Sequence, residues 1–253
     1  MSQRVLVTAA GSGIGRAIAE AFLAQGDLVH VCDIDPAPLP AITAAFEGAS
    51  TSVCDVGDVA QLAALYAQAC AAMGGVDILI NNAGIGGPRA ALENFSLQDW
   101  QRCLDVNLTA PFTLMQHVVP GMKAQGGGCI INIVTTSVLT GLPQRAGYVA
   151  SKAGLRGLTG NAARELGPDN IRVNGVFPGV IDNPRGHALI EKQAAEKRVS
   201  VSEAKESFLS YVSMRTMIDP REVAAMCVFL ASPAAKHVTG QEICVDGNVE
   251  WEQ

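Results

Sequence analysis

Tyr148 and Lys152 are a pair of side chains that could move a proton in a reaction. They stand four residues apart, and this spacing places both on one face of a helix. A free tyrosine has a pKa of about 10 and is a weak base at neutral pH. A nearby ammonium group favours the tyrosinate, so the pair could take a proton from an alcohol or return it to a carbonyl oxygen. Pairs with this spacing are also common on ordinary helices, so the surrounding sequence must decide.

A glycine-rich segment near the N-terminus has the spacing of a phosphate-binding loop. Residues 8–15 read TAAGSGIG and join a predicted strand to a predicted helix. Glycines permit a tight turn, and the helix N-terminus presents free N–H groups and a positive dipole end to a pyrophosphate. The alternative is a purely structural turn. The candidate contacts to a dinucleotide are Gly11, Ser12, Gly13, Ile14 and Gly15.

An acidic residue at the end of the second predicted strand indicates which dinucleotide binds. Asp33 lies 18 residues after Gly15, close to the spacing of about 20 at which an acid binds the ribose 2′-hydroxyl. A carboxylate there repels a 2′-phosphate, and residues 8–15 contain no Lys or Arg. The sequence therefore predicts NAD rather than NADP, in contact with Asp33 and Ile34. The alternative is that Asp33 or Asp35 only opens a turn.

Short apolar runs alternate with longer helical patterns along the chain. This alternation predicts a parallel sheet with helices on both faces, and continuous apolar strands suit a sheet buried on both sides. We expect a single α/β domain over residues 1–253, a Rossmann-type doubly wound sheet, with residues 183–217 as a lid over the substrate. The predicted strands are residues 4–8, 28–32, 52–53, 77–81, 129–135, 171–177 and 242–245. The predicted helices are residues 14–25, 37–46, 59–73, 97–122, 147–166, 186–209 and 220–231, with a distortion at Pro111.

The composition argues against several other classes of protein. The 253 residues are 49% hydrophobic and 17% charged with a net charge of −6, which argues against nucleic acid as a partner. The seven cysteines lack metal-ligand or disulfide spacing and are typical of a reducing cytosol. We therefore expect a cytoplasmic protein without a metal site. No apolar run reaches the ~18 residues of a membrane helix, so a membrane is not expected as a partner. The low content of charged residues suggests that other subunits cover part of the surface.

Together with the glycine-rich loop, three further motifs resemble those of one known family. Residues 81–84 read NNAG, residues 148–152 read YVASK, and residues 178–179 read PG, in that order. Over essentially its whole length the chain is similar to the short-chain dehydrogenase/reductase family. The resemblance implies a metal-free oxidoreductase that interconverts a secondary alcohol and a ketone with a nicotinamide cofactor and a catalytic tyrosine. It also implies a homotetramer, with a dimer as the second choice.

The resemblance assigns roles to further residues. Asp55 and Val56 would contact adenine, and Lys152 would also bind the nicotinamide ribose. Asn107 would hold a water near Lys152 and complete a proton relay, the alternative being an ordinary polar helix residue. The remaining contacts implied for the cofactor are Asn82, Ala83, Gly84, Pro178, Gly179, Ile181 and Asn183, the last in place of the family's threonine.

Two positions depart from the family pattern. The family's catalytic serine lies 13 residues before the tyrosine, where this chain has Thr135. The Thr135 hydroxyl can hydrogen-bond a carbonyl oxygen as a serine does. Alternatively, a local bulge brings Ser137 to the site, as the catalytic hydroxyl or as a substrate contact. The family's first loop glycine is Ala9, and we expect a negative φ there and a slightly shifted loop.

The segments expected to line the substrate pocket carry four notable side chains: Arg89, Gln144, Arg145 and Arg185. Arginine suits anionic or multi-oxygen groups, which favours a polar hydroxylated or anionic substrate such as a sugar, polyol or hydroxy acid. Equally, these arginines could be solvated surface or interface residues. A 3-oxoacyl thioester or a steroid-type ketone is the alternative substrate. A non-catalytic NAD-sensing regulator is a different class of function, and it would more naturally have lost Tyr148 or Lys152.

Overall fold

The computed structural model describes residues 2–250, with the side chain of Arg185 outside that description. Its centre is a parallel sheet of seven strands in the order β3-β2-β1-β4-β5-β6-β7. The strand order reverses between β1 and β4, and open α/β sheets bind ligands at the carboxyl ends of the strands at such a point. The strands are β1 (Arg4–Thr8), β2 (Leu28–Asp33), β3 (Ala49–Val53), β4 (Ile78–Asn81), β5 (Gly128–Ile133), β6 (Ile171–Pro178) and β7 (Glu242–Val245).

Helices cover both faces of this sheet. They are α1 (Gly13–Leu23), α2 (Leu39–Ala45), α3 (Val59–Met73), α4 (Leu97–Leu104), α5 (Ala110–Ala124), α6 (Ser137–Thr140), α7 (Ala146–Leu166), α8 (Pro184–Lys197), α9 (Val201–Leu209) and α10 (Pro220–Ala231). Consecutive residues of a strand point to opposite faces. In β1, Val5 and Val7 therefore join the core beneath α1, α2 and α10, whereas Leu6 joins the core beneath α3, α5 and α7. The predicted fold class, a doubly wound parallel sheet, is confirmed.

Two helices begin and end at the predicted residues because their caps are explicit in the sequence. Asp58 caps α3 by accepting from the Ala60 N–H at 3.1 Å, and Gly74 ends it with a φ of 81°. Asp219 and Glu222 form a reciprocal capping box at the start of α10. Within residues 2–250, none of the helices combines the length and the apolar character needed to cross a membrane.

The predicted helix over residues 97–122 is divided into three segments. Between α4 and α5, residues Asp105–Thr109 form a π-helical turn. Pro111 has no N–H to donate to the preceding turn, so the distortion expected from this proline is confirmed and takes this form. The turn carries Asn107, whose side chain is fully buried.

The segment of residues 183–217 folds as two helices rather than the one predicted. Arg198, with a φ of 56°, ends α8, and Ser200 caps α9 in a capping box with Glu203. Isolated bridges pair Ile181 with Ile218 and Val212 with Val249 at the ends of the segment. Its role as a lid stays a prediction. The segment has a small buried core of its own, made of Ile190, Ala194, Ala204, Leu209, Val212 and Met217.

Candidate active site

The glycine-rich loop turns at the carboxyl end of β1 and leads directly into α1. Gly13 begins α1 with a φ of +57°, a conformation that favours glycine. A side chain at Gly15 would collide with the carbonyl oxygen of Ala9 and with the Asn82 amide. The backbone therefore carries no side chains at these two positions of the first helical turn. The N–H groups and the helix dipole at this N-terminus suit a phosphate.

Ala9 corrects the prediction made for this loop. Its φ is +50°, so the alanine occupies the left-handed region and the expected negative φ is wrong. Asn82 holds this conformation, because its Nδ2 donates to the carbonyl oxygens of Thr8 and Ala9 at 2.9 and 3.0 Å. The Thr8 hydroxyl in turn accepts from the N–H groups of Asn82 and Ala83, both at 3.0 Å. These bonds help to offset the cost of a left-handed alanine, about 1–2 kcal/mol.

Asp33 ends β2 and points its carboxylate at the glycine-rich loop. Its Oδ2 accepts from the Gly11 N–H at 2.8 Å, and its Oδ1 accepts from the Asp35 N–H at 3.0 Å. Asp35 opens the following turn by accepting from the Ala37 N–H at 2.9 Å. The structure thus places the Asp33 carboxylate at the loop, and both Asp33 and Asp35 also accept from the N–H two residues further on, as turn-opening residues do.

An apolar rim lies beside this carboxylate at the edge of the sheet. Ile34, just after β2, and Val53, the last residue of β3, are 59% and 61% exposed. Val56 is buried, and Asp55 pairs with Arg102 at 2.8 Å. Exposed aliphatic side chains beside a carboxylate offer a flat purine both an apolar surface and a hydrogen-bond acceptor.

Lys152 is buried on α7, one turn after the half-buried Tyr148. Its Nζ donates to the Ile133 carbonyl oxygen at the end of β5, at 2.6 Å. A side chain at Gly84 would come within 3.1 Å of the same Nζ, so the ammonium also lies against the NNAG segment. Burial lowers the pKa of Lys152 to about 8, so the ammonium is still the main form at neutral pH.

Asn107 connects three parts of the site from its place in the π-helical turn. Its Oδ1 accepts from the Ile85 N–H at 2.8 Å, and its Nδ2 donates to the Ile85 carbonyl oxygen at 2.9 Å. The same Nδ2 donates to Ser151 Oγ at 2.9 Å, and Ser151 Oγ donates to the Tyr148 carbonyl oxygen at 2.9 Å. Asn107 thereby joins the loop after β4 to the helical turn that carries Tyr148 and Lys152.

Two hydroxyl groups meet just beyond β5. Thr135 Oγ1 accepts from the Ser137 N–H at 3.2 Å and donates to Ser137 Oγ at 3.3 Å. Thr135 is buried, whereas Ser137, the first residue of α6, is half-buried. Both candidates for the catalytic hydroxyl therefore lie in one place, hydrogen-bonded to each other.

Comparison with known proteins agrees with this geometry. A family profile described as "Enoyl-(Acyl carrier protein) reductase" matches residues 8–249. The 3-oxoacyl-[acyl-carrier-protein] reductase FabG of Thermotoga maritima is 36% identical over 248 residues, which cover 96% of each chain. The chain belongs to the short-chain dehydrogenase/reductase family.

Other members of the short-chain dehydrogenase/reductase family match over the same length. The probable galactose dehydrogenase GalD of Rhizobium meliloti is 36% identical over 250 residues, 97% of this chain and 94% of that protein. A crystal structure of a point variant of actinorhodin polyketide ketoreductase with NADPH superimposes with a TM-score of 0.92 at 33% identity, covering 99% of this chain and 98% of that one. This short-chain dehydrogenase/reductase is accordingly an oxidoreductase of alcohols or ketones.

The predicted carboxamide-binding segment of this short-chain dehydrogenase/reductase follows β6. The Gly179 N–H donates to the Val245 carbonyl oxygen at 3.1 Å, and a side chain at Gly179 would lie 2.7 Å from Asp246 Cα. Ile181 is held by its bridge to Ile218. Asn183 Oδ1 accepts from the Gly186 N–H at 2.8 Å and caps α8, so the amide that replaces the family's threonine also begins a helix.

Three of the four predicted substrate residues lie on two segments that contact each other: the Ala90 N–H, next to Arg89, donates to the carbonyl oxygen of Gln144 at 3.2 Å, and Arg145 follows Gln144. Arg145 points Nη1 at the carbonyl oxygens of Gly86 and Gly87, which ties the loop after β4 to the start of α7. Gln144 is exposed with a φ of +65°, Arg89 is exposed, and the side chain of Arg185 lies outside the described structure. The contacts of Arg145 indicate a structural role, and sequence spacing offered no signal for it.

Arg102 and Ser151 are the polar residues of the site that sequence reasoning missed. Arg102 reaches Asp55 across 47 positions of sequence, and no local pattern predicts such a contact. Ser151 lies inside the YVASK motif between the two residues that attracted attention. Its position next to the candidate catalytic Lys152 could have indicated that Ser151 belongs to the site.

Proposed function

We propose that this short-chain dehydrogenase/reductase interconverts a secondary alcohol and a ketone with NAD, and that Tyr148 is its acid/base. The position of Lys152 carries this proposal. A buried ammonium on the helix face of Tyr148 stabilises a tyrosinate far better than a solvated one, because burial strengthens the attraction between charges. Lys152 lies one helical turn away and is fixed by the Ile133 carbonyl.

The residues at the carboxyl edge of the sheet fit a dinucleotide. Gly15 leaves no space for a side chain, and the first turn of α1 offers N–H groups for the pyrophosphate, with Gly11, Ser12, Gly13 and Ile14 beside it. Asn82, Ala83 and Gly84 line the next strand end, and Pro178, Gly179, Ile181 and Asn183 line the end of β6. A nicotinamide bound there would accept a hydride from the alcohol or return it to the ketone.

We infer NAD rather than NADP from Asp33. Its carboxylate accepts from the Gly11 N–H, so it stays next to the loop and would meet a 2′-phosphate with like charge. Residues 8–15 hold no compensating Lys or Arg. The structure of the related ketoreductase contains NADPH, so the choice of cofactor is inferred from the residues of this chain. Replacing Asp33 with Ser should therefore raise NADP affinity and lower NAD affinity.

The proton step uses Tyr148, Lys152 and a hydroxyl. Tyr148 takes the alcohol proton as the hydride leaves, and donates it in the reverse direction. Lys152 would also hold the nicotinamide ribose, and Asn107 would hold a water near Lys152 for a proton relay. The side-chain bonds of Asn107 to Ile85 and Ser151 keep this turn in place.

Between the two hydroxyls, we keep Thr135 as the primary candidate and Ser137 as the alternative. Because the two hydroxyls are hydrogen-bonded to each other, removing one also changes the position of the other, so the pair should be tested with matched variants. Thr135→Val and Ser137→Ala each remove one hydroxyl. Loss of the hydroxyl that contacts the substrate oxygen should lower kcat by about 10²-fold, and loss of the other should have a smaller effect.

The test of this function is a cofactor and substrate panel with Tyr148→Phe as the control. NAD and NADP are mixed with sugars, polyols, hydroxy acids, 3-oxoacyl thioesters and steroids, and reduced nicotinamide is followed by absorbance. We expect turnover with NAD that falls by about 10²–10⁴-fold in Tyr148→Phe, while NAD binding by calorimetry is retained. Turnover that survives in the variant would contradict the mechanism. NAD binding without any hydride transfer would favour an NAD-sensing regulator.

We propose a polar hydroxylated or anionic substrate, such as a sugar, polyol or hydroxy acid. The relative GalD is a probable galactose dehydrogenase, and a 34% identical relative from Mycolicibacterium smegmatis is a D-threitol dehydrogenase. The alternative is a 3-oxoacyl thioester or steroid-type ketone, which the relation to FabG favours. An unchanged KM in both Arg89→Ala and Arg145→Ala would contradict the polar hydroxylated or anionic substrate. A change in Arg145→Ala alone would not support it, because Arg145 also bonds to the Gly86 and Gly87 carbonyl oxygens.

We propose a homotetramer, with a dimer as the second choice, built on the exposed faces of α4, α5 and α7. Leu97 is 85% exposed and Phe112 is 45% exposed, so both side chains are available for burial against a second copy. On α7, a side chain at Gly157 or Gly160 would meet no atom within 4 Å, so a second copy can approach closely. Sedimentation of Phe112→Glu should show a smaller assembly.

In the described chain the cysteines are free, which supports a reducing, cytoplasmic location.

A further inference from the structure

The ion pair between Arg102 and Asp55 connects α4 to the loop that follows β3. Arg102 Nη2 donates to both carboxylate oxygens of Asp55, to Oδ1 at 2.8 Å and to Oδ2 at 2.9 Å. The Gly57 N–H donates to Asp55 Oδ1 at 2.9 Å. The carboxylate is thus held from two sides and cannot rotate without losing at least one of these bonds.

The bonds to Asp55 leave little of its accepting capacity unused. A carboxylate has about four lone-pair positions. Within residues 2–250, Arg102 and the Gly57 N–H fill both positions on Oδ1, and Arg102 fills one on Oδ2. One position remains, on Oδ2, and the side chain is still 28% exposed. Asp55 therefore presents one acceptor in a fixed direction at the sheet edge.

The protonation state of Asp55 suits the same role. Burial by itself raises the pKa of this carboxyl, but the hydrogen bonds from Arg102 and the Gly57 N–H outweigh it and bring the pKa below its usual value. Asp55 is therefore fully ionised at neutral pH, and it can only accept hydrogen bonds.

Gly57 is adapted to the path of Arg102. A side chain at this position would collide with the Arg102 guanidinium, with Cζ only 2.8 Å away, and with Val106 Cγ2, also 2.8 Å away. The absence of a side chain at Gly57 thus leaves room for the guanidinium to reach the Asp55 carboxylate.

We propose that Arg102 is a positioning residue that makes the adenine end of the site selective for a 6-aminopurine over a 6-oxopurine. The proposal rests on the proposed binding of NAD with Asp55 at adenine. An exocyclic amine donates to the one open lone pair of Asp55, whereas a 6-oxo group would place an acceptor against a carboxylate. Arg102 contributes by fixing the direction of that lone pair.

A purely structural ion pair predicts a different result. Half-exposed pairs of this kind contribute little to stability, so the Arg102→Gln variant should remain folded. If Arg102 only stabilised the loop, its loss would weaken all dinucleotides by the same factor. The ratio of the affinities for a 6-amino and a 6-oxo dinucleotide therefore distinguishes a positioning role of Arg102 from a contribution to the stability of the loop.

The experiment measures calorimetric Kd values for NAD and for its hypoxanthine analogue, in which a 6-oxo group replaces the amine. We expect the wild type to prefer NAD by about tenfold or more, because hydrogen bonds to an ionised acceptor are strong. Arg102→Gln and Gly57→Ala should both reduce this preference to below about threefold by weakening NAD rather than strengthening the analogue. Arg102→Lys should restore part of it, and Asp55→Asn should reverse it, because an amide can donate to the 6-oxo group.

Lys123→Gln is the matched control, because Lys123 pairs with Asp169 at 2.7 Å with similar exposure and at the opposite edge of the sheet. It should leave the preference unchanged. An unchanged preference in Arg102→Gln, or equal binding of both dinucleotides by the wild type, overturns the proposal while NAD binding stands. A wild type that binds neither dinucleotide overturns the proposed function and this inference with it.

Discussion

The nucleotide-binding edge and the segment of residues 183–217 are stabilised in different ways. At the edge, side chains bond directly to the backbone: Asn82 to Thr8 and Ala9, and Asp33 to Gly11. The segment of residues 183–217 also has such bonds, at the helix caps Asn183 and Ser200 and at Arg215. Its distinguishing feature is a small apolar core of its own, with isolated bridges at its ends. Directional bonds fix atoms to within fractions of an ångström, which suits an invariant cofactor. An apolar core tolerates changes of residue, which suits a family whose members have different substrates.

A side chain in the glycine-rich loop should have the largest effect, a loss of NAD affinity confined to the nucleotide-binding edge. In Gly15→Ala, the added methyl meets the Ala9 carbonyl and the Asn82 amide, so the loop must move away from the pyrophosphate position. We expect the Kd for NAD to rise by more than about 100-fold, or roughly 2.7 kcal/mol. Calorimetry measures this, with Gly167→Ala as the control because its methyl meets no atom within 4 Å. An unchanged Kd would show that this loop does not bind the cofactor.

Acid should destabilise the nucleotide-binding half first, through His30. The ring lies between Ser50 and Ser52 at 2.8 and 2.7 Å, and burial lowers its pKa to about 4 from 6.5. Between these pH values the unfolded chain binds a proton that the folded chain does not. Stability is therefore complete above pH 6.5 and falls by about 3 kcal/mol as the pH drops towards 4.

Urea unfolding at several pH values checks this dependence. His30→Gln should be less stable at pH 7 because it loses one of the two serine bonds. Its slope between pH 6.5 and 4 should be shallower than that of the wild type. Equal slopes would mean that carboxyl groups, not His30, control the acid sensitivity.

A cavity in the core of the 183–217 segment should affect substrate binding and leave NAD binding unchanged, the reverse of the glycine-loop variant. Leu209→Ala removes a buried side chain from a cluster separate from the main sheet. We expect a local loss of about 2–3 kcal/mol, seen as faster hydrogen exchange in α8 and α9. KM for the substrate should rise while the Kd for NAD is unchanged. A parallel loss of NAD affinity would refute the separation of the two regions.

The smallest expected effect comes from relieving the strain at Ala9. Its φ of +50° suits glycine better than alanine. Ala9→Gly should stabilise the folded chain by about 1 kcal/mol, less the entropy that glycine adds to the unfolded state. Melting should shift upward by about 2–4 °C per kcal/mol. A lower Tm would show that the Asn82 bonds already remove the strain.

Most of the fold could be predicted because its signals are local. The alternation of strands and helices, the caps Asp58 and Asp219, and the proline at 111 each depend on neighbours in sequence. The division of residues 186–209 into α8 and α9 was missed because the break at Arg198 is a left-handed residue of a type that usually continues a helix. Ser137 lies in a four-residue helix, α6, too short to leave a periodic pattern.

The sequence by itself determined the candidate groups for the proposed chemistry: Tyr148 and Lys152 on one helix face, a glycine loop between β1 and α1, and the acid at the end of β2. These are spacings within one element or one connection, and covalent geometry is enough to bring them together. The tertiary structure decided which partner each polar group takes. Arg102 bonds to Asp55, and Arg145 bonds to the backbone after β4. Folding brings these distant segments within hydrogen-bonding distance, and burial makes a polar group without a partner costly in free energy.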